Sequence, residues 1–273
     1  MLLLNDALLP TAALPLPNRG LAFGDGFFET LIFAENRLRY ATEHVARMQQ
    51  AAAELYLMLP AALASAAALE ATLARLVQAN NLPAARLRLQ LWRSGGGRYT
   101  PLTDTVEWLA TAEAFVADTS PVQLADFARE TQTNYSPLSF CKGPQAWLYV
   151  RAARERQKRS LDDIILCDAA GHVAEAGASA VFWVRNKTLF TPSLATGCVA
   201  GVRRQHLLHV ARQHHLPYVE GLFTNQDIAA AEAVFVANVA AIRPVLQLGQ
   251  TCFALQHPVV EQLLGWEKMA RPL

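Results

Sequence analysis

An excess of either charge is missing from this chain: 24 Lys and Arg stand against 23 Asp and Glu, for a net +1. Neither sign forms a long run, and a nucleic-acid or anionic-membrane partner would need a concentrated basic stripe. The partner expected from the sequence is therefore a small molecule. Cysteine is scarce as well. Cys141, Cys167, Cys198 and Cys252 lie far apart, with no Cys-x-x-Cys pair and no histidine at zinc-finger spacing. That spacing argues for free thiols in a reducing compartment. Long apolar runs are absent too: the uncharged stretch from Leu55 to Leu69 is too short to cross a bilayer and contains Pro60. Met1-Leu2-Leu3-Leu4 lacks a basic leader, and Asp6 and Pro10 cut the run short of a signal peptide. A cytoplasmic protein is the expectation.

What is present suits a globular fold. Hydrophobic residues make up 52% of 273 positions and charged residues 17%, enough chain for two domains with a sizeable core. Leu2 to Ala13 reads as a strand pair turning at Asn5-Asp6, and Asn18-Arg19-Gly20 as a turn. Phe27 to Phe33 is a β-prone run. Thr42 caps an expected helix through Leu59, and Pro60 starts a second one reaching Asn80. Arg86 to Trp92 alternates, with Leu87, Leu89 and Leu91 on one face, as a half-buried strand does. Ser94-Gly95-Gly96-Gly97 is a loop, and Glu107 to Val116 another strand. Residues 1–117 form an expected N-terminal lobe, 118–122 a linker, and 123–273 a larger lobe of strands and helices. Within the latter, Lys142 opens a helix to about Lys158, Ile164 to Cys167 and Ala180 to Arg185 are strands, and a further helix follows Gly201. The class is α/β or α+β in two lobes.

Three features point to chemistry. Lys142 follows an apolar stretch, Glu175 sits downstream, and Gly197-Cys-Val-Ala-Gly201-Val-Arg203 leads into a helix. A buried amine, a carboxylate and a glycine-led helix start are the groups that hold pyridoxal phosphate. The amine joins the aldehyde as a Schiff base, the acid keeps the pyridine nitrogen protonated, and backbone N–H groups take the phosphate. Each feature also has a bland reading: a lysine snorkelling at a helix start, a surface glutamate in a turn, an ordinary helix cap.

The order of these pieces resembles the class IV aminotransferase family of fold-type IV pyridoxal-phosphate enzymes, which includes branched-chain and D-amino-acid aminotransferases and 4-amino-4-deoxychorismate lyase. The resemblance runs from N-R-G-L-A-F-G-D-G-F-F-E-T at Asn18 through H-V-A-R at His44, K-G-P-Q-A-W-L-Y-V-R-A-A-R-E at Lys142, E-A-G-A-S-A-V-F-W-V at Glu175 and G-C-V-A-G-V-R-R at Gly197 to F-V-A-N at Phe235. By that resemblance Lys142 is the Schiff-base lysine and proton shuttle, and Glu175 the partner of the pyridine nitrogen. The backbone amides of Val202 and Arg203, the Arg47 guanidinium, and Asn238 with Val239 surround the phosphate. Where the family often has threonine, this chain has Arg203, which puts a hydroxyl contact in doubt. Pro144, Gln145 and Ala146 also depart from the family's lysine segment.

On the substrate side the resemblance implicates Arg93 and the Gly95 to Tyr99 loop, a guanidinium for a carboxylate and a flexible cover. A strand end with an exposed loop is the other reading. Phe28 is a candidate pocket wall. His206, His209, His214 and His215 lack acidic or thiol partners at metal-ligand spacing, so no metal is expected. Gly24-Asp25-Gly26 precedes a strand and is no dinucleotide fingerprint. The resemblance implies a homodimer acting on an amino-acid-like amine. The lyase reaction, giving 4-aminobenzoate and pyruvate for folate synthesis, is preferred slightly over transamination with 2-oxoglutarate; a non-catalytic binding protein is the third reading.

Overall fold

The computed structural model describes residues 1–143 and 146–270; the unusual Pro144 and Gln145 lie outside them. The chain divides into two compact units. The first holds Met1–Ala117 and the short segment that begins at Cys141; the second holds Asp118–Phe140 and the chain from Ala146 onward.

In the first unit, β1 (Leu2–Leu4) and β2 (Ala7–Leu9) form a hairpin through Asn5 and Asp6, both at positive φ. The expected turn at Asn18 is instead a short helix, α1 (Arg19–Phe23), because the Asn18 side chain accepts from Leu21 N–H and caps it. Then come β3 (Gly26–Ala34), β4 (Arg37–Leu38), α2 (Ala41–Glu54), α3 (Ala66–Ala79), β5 (Ala85–Arg93) and β6 (Val106–Ala114). The helices are shorter than expected. Ser65, not Pro60, caps α3 by accepting from Ala68 N–H. The strands pair antiparallel in the order β2-β1-β6-β5-β3-β4. Along β5, Ala85, Leu87, Leu89 and Leu91 are buried while Arg86 and Arg88 point outward, and α2 and α3 pack together on this unit.

The second unit contains β7 (Ala125–Phe127), α4 (Trp147–Lys158), β8 (Asp163–Cys167), β9 (Val173–Ala176), β10 (Ala180–Arg185), β11 (Thr188–Pro192), α5 (Val202–Gln213), β12 (Tyr218–Gly221), α6 (Asn225–Ala229), β13 (Ala233–Ala237), β14 (Ile242–Val245), β15 (Gln247–Leu248), β16 (Thr251–Cys252) and α7 (Pro258–Ala270). Two five-stranded sheets have the orders β12-β11-β10-β13-β14 and β16-β15-β7-β8-β9. β10 is buried on both faces. Its Val181 and Trp183 join Ile165, Val173, Val234 and Val236 in one core. Phe182 and Val184 meet Leu207 of α5 and Leu263 of α7 in another. A strand covered on both sides reads as a continuous apolar run, as Ala180-Val-Phe-Trp-Val does.

Two expectations need correcting. Residues 118–122 do not hang free as a linker: Val122 is fully buried, its N–H donates to Pro244 O, and Leu246 N–H donates back to Val122 O. Lys142 does not open a helix in the C-terminal lobe. α4 starts at Trp147, and the Lys142 segment clusters with the first unit because Phe28 N–H of β3 donates to Lys142 O at 2.9 Å.

Candidate functional site

In the first unit, the site begins with a charge on the buried side of a strand. Alternation along β3 places Phe27, Glu29 and Leu31 inward, so Glu29 is 1% exposed and must find donors. α2 supplies them from one face, since residues three apart on a helix are neighbours. Arg47 Nε donates to Glu29 Oε1 at 2.8 Å and its Nη2 to Oε2, while His44 Nδ1 lies 2.7 Å from Oε2. Burial alone would raise the Glu29 carboxyl, but Arg47 and His44 outweigh it and hold the group at about 2. Burial, ahead of the opposing pull of Glu29, lowers the His44 ring below its ordinary value, and Arg47 and Lys142 add to the lowering. An ionised Glu29 beside a neutral ring requires the proton on Nδ1. His44 Nε2 is then a fully buried acceptor without a hydrogen-bond partner among the described residues. Lys142 is half-buried and anchored to β3 through its carbonyl. Cys141 beside it is pushed up to about 11 by burial.

The second unit gathers the remaining candidates. Glu175, in β9, is 5% exposed; Tyr149 Oη donates to its Oε1 at 2.7 Å and Val199 N–H to its Oε2 at 3.2 Å. Val199 belongs to the glycine turn that enters α5. Gly197 is required there: its φ is 80°, and a Cβ would fall 2.6 Å from the Asn134 carbonyl carbon. The N-cap of α5 is Gly201, and no side chain caps this helix, so the amides of Val202 and Arg203 stand at an N-terminus suited to an anion. Asn238, just past β13, donates from Nδ2 to Ser179 Oγ at 3.0 Å and accepts at Oδ1 from Ala240 and Ala241 N–H. Its carbonyl accepts from Arg203 Nη1 at 3.3 Å. Val239 is buried. Glu175, the α5 entrance and the Asn238 turn are thus tied into one hydrogen-bonded group.

Several side chains are not where the sequence suggested. The Arg203 guanidinium faces away from an anion role: Nε and Nη2 donate to the two oxygens of buried Glu267 at 3.0 and 3.1 Å, which leaves only its backbone for a ligand. Arg93 is 5% exposed and donates to Asp25, Asp104 and the carbonyls of Leu55, Tyr56 and Thr103. Those bonds turn it inward, so its guanidinium is a structural clamp and not a substrate group. Tyr99 is 92% exposed and its ring lies 5.8 Å from Phe23. Phe28 is half-buried under the Arg88 guanidinium, 3.7 Å from the ring centre. Sequence reasoning missed Glu29, His44 and Tyr149. A signal existed for Glu29, since an acid at inward parity in an apolar strand demands a partner.

Comparison with known proteins places these features in a family context. The family model described as amino-transferase class IV matches residues 26–248. A D-alanine aminotransferase of Listeria innocua is 25% identical over 96% of this chain and 92% of its own length. An aminodeoxychorismate lyase of Vibrio harveyi is 26% identical over 87% of this chain and 88% of its own. The crystal structure of 4-amino-4-deoxychorismate lyase from Pseudomonas aeruginosa superposes with a TM-score of 0.86 at 23% identity, covering 100% of both chains.

Proposed function

Because the chain belongs to the class IV aminotransferase family, we propose roles for its site residues and a reaction. The family depends on pyridoxal phosphate, and this chain is a pyridoxal-phosphate enzyme with the fold-type IV architecture. The residues fit that group chemically: an uncapped helix start and a buried arginine suit a phosphate, and a buried, donor-oriented carboxylate suits a pyridinium. When bound, the cofactor supplies an aldehyde for an amine and a ring that accepts the electrons released at the substrate α-carbon.

Lys142 Nζ would hold the cofactor's aldehyde and would serve as the base for the proton on the substrate α-carbon. Glu175 keeps the ring nitrogen protonated, an electrostatic role that strengthens away from water. Tyr149 and the Val199 amide fix its orientation. The Val202 and Arg203 amides, the Arg47 guanidinium, Asn238 and Val239 receive the phosphate. Phe28 and Tyr99 are the substrate-side candidates. The observation that carries this reading is the hydrogen bond from Val199 N–H to Glu175, which couples the acid to the turn that sets the α5 entrance.

We put the lyase reaction first: loss of a leaving group from the activated substrate yields pyruvate and 4-aminobenzoate, a folate precursor. The glycine-rich loop 94–99, which resembles that of the lyase branch, supports it. Transamination of an amino acid is the second reading, supported by the similarity to the Listeria innocua D-alanine aminotransferase. Incubation with aminodeoxychorismate, and separately with D-alanine or L-leucine plus 2-oxoglutarate, decides between them. Formation of 4-aminobenzoate upholds the first, and amino transfer without it overturns the first in favour of the second. A homodimer in the cytoplasm completes the proposal. An absorbance band near the visible edge on reconstitution, lost in Lys142→Ala, tests the assignment of the lysine.

A further inference from the structure

The motif N-R-G-L-A-F-G-D-G is not absorbed by the cofactor roles above, yet it holds two buried cations on one acid. Arg19 is 5% exposed although it sits in a helix of only five residues. Its Nε donates to Asp25 Oδ2 at 2.7 Å, and Arg93 Nε donates to the same oxygen at 3.0 Å. Each guanidinium then uses its other end to grip the glycine-rich segment. Arg19 Nη1 lies 3.2, 3.2 and 2.8 Å from the carbonyls of Gly96, Gly97 and Arg98. Arg93 Nη1 reaches Thr103 O at 3.2 Å and Asp104 Oδ1 at 2.6 Å on the far side of the same loop.

Successive carbonyls converge on one cation only if the backbone folds around it. Gly97 makes that possible, with φ at 98° and the Thr100 carbonyl 2.4 Å from where a Cβ would stand. The outer surface of the loop is also tied down, since Arg19 stacks over Phe23 at 4.9 Å and Tyr99 leans on the same ring. A loop that swings freely would not spend two buried arginines and a shared carboxylate on its backbone. The latch stands at the Lys142 end of the sheet: Gly26 pairs with Trp92, Arg93 N–H donates to Asp25 O at 3.0 Å, and two residues past Gly26 the Phe28 N–H holds Lys142 O.

We propose that Asp25, acting through Arg19 and Arg93, is a positioning residue that fixes loop 94–99 as a rigid wall of the substrate site instead of a mobile cover. The assignment rests on the reading of Lys142 as the cofactor lysine. The wall selects substrate by shape, so loosening it weakens substrate binding more than it slows the chemistry.

The test compares wild-type, Asp25→Asn and Arg19→Gln proteins, each reconstituted with pyridoxal phosphate. Arg19→Gln removes the bonds of Arg19 to Asp25 and to the Gly96, Gly97 and Arg98 carbonyls but leaves the Asp25–Arg93 pair, which covers the possibility that Asp25→Asn misfolds. Amide hydrogen exchange across residues 94–104 should quicken by about tenfold or more in the variants, with the rest of the first unit unchanged. With whichever substrate the wild-type enzyme turns over, KM should rise about tenfold while kcat stays within about threefold and the cofactor band is unaltered. A merely structural role would instead depress cofactor uptake and kcat together. Unchanged loop exchange, or a loosened loop with KM unmoved, overturns the proposal. Failure of the wild-type protein to take up pyridoxal phosphate overturns the functional reading, and with it the claim that this wall faces a substrate; the exchange data then report separately on whether the latch holds the loop.

Discussion

Acid should dismantle the first unit in two stages, and the Glu29–His44–Arg47 cluster sets both. The His44 ring is buried and its proton affinity is lowered from the ordinary 6.5, so below that pH the unfolded chain binds a proton that the folded one refuses. Stability is therefore lost as pH falls from about 6.5. Glu29 is held at about 2 against an ordinary 4.5. Its contribution is complete above the ordinary value and drains away as pH drops from about 4.5 toward 2. At about 1.4 kcal/mol per tenfold change in proton affinity, the second stage is on the order of 3 kcal/mol.

The perturbations separate the stages. His44→Asn keeps an N–H donor near the Nδ1 position but cannot take up a proton, so the loss between about pH 6.5 and 4.5 should flatten while the lower stage persists. Glu29→Gln removes the lower stage and also strands a buried guanidinium, a loss of about 3 to 5 kcal/mol already at neutral pH. The assay is the urea midpoint of the cofactor-free protein by far-ultraviolet circular dichroism, at half-unit steps of pH. An unchanged upper stage in His44→Asn would falsify the view that a neutral buried His44 sets it. A Glu29→Gln protein as stable as wild type at pH 7 would refute the ion pair itself.

Other outcomes follow from the same geometry. Arg203→Met should destabilise by about 3 to 5 kcal/mol because it leaves Glu267 charged and buried at 1% exposure, whereas Arg203→Met with Glu267→Leu should recover most of the loss. Both proteins should still take up pyridoxal phosphate, since the helix-start amide and not the side chain is assigned to the phosphate; loss of uptake in the folded double variant would contradict that. Among the cysteines, exposed Cys252 should be alkylated first at pH 8. Burial pushes Cys141, Cys167 and Cys198 up to about 11, and mass spectrometry should find them unlabelled until the chain is unfolded.

What the sequence made legible and what it hid divide along one physical line. Periodicity names the faces of an element, and on that ground β5 could be read from Leu87, Leu89 and Leu91, and the hairpin from Asn5-Asp6. The order of motifs carried Lys142, Glu175 and the Gly197 turn to the right family because each is a short local arrangement. Where a long side chain ends is not local. Arg93 was read as facing a ligand and Arg203 as offering its backbone amide with its side chain unassigned, and each guanidinium meets an acid that only the folded chain delivers: Asp25 across the β3–β5 pairing, and Glu267 from the C-terminal helix. Lys142 joined the first unit for the same reason, through a backbone bond to Phe28 spanning more than a hundred residues.

The remedy is to count charge by parity before assigning chemistry. Glu29 at an inward position of β3 and His44 with Arg47 one turn apart on α2 are a burial problem visible in the letters alone, and burial of an acid without a cation is prohibitive. Asp25 escapes the same counting, because only the folded chain brings Arg19 and Arg93 to its one carboxylate and so holds the loop down at its base. In this chain the buried ion pairs fix where the Arg93 and Arg203 guanidinium groups point, and at the start of α5 it is the backbone amides that are left to a ligand.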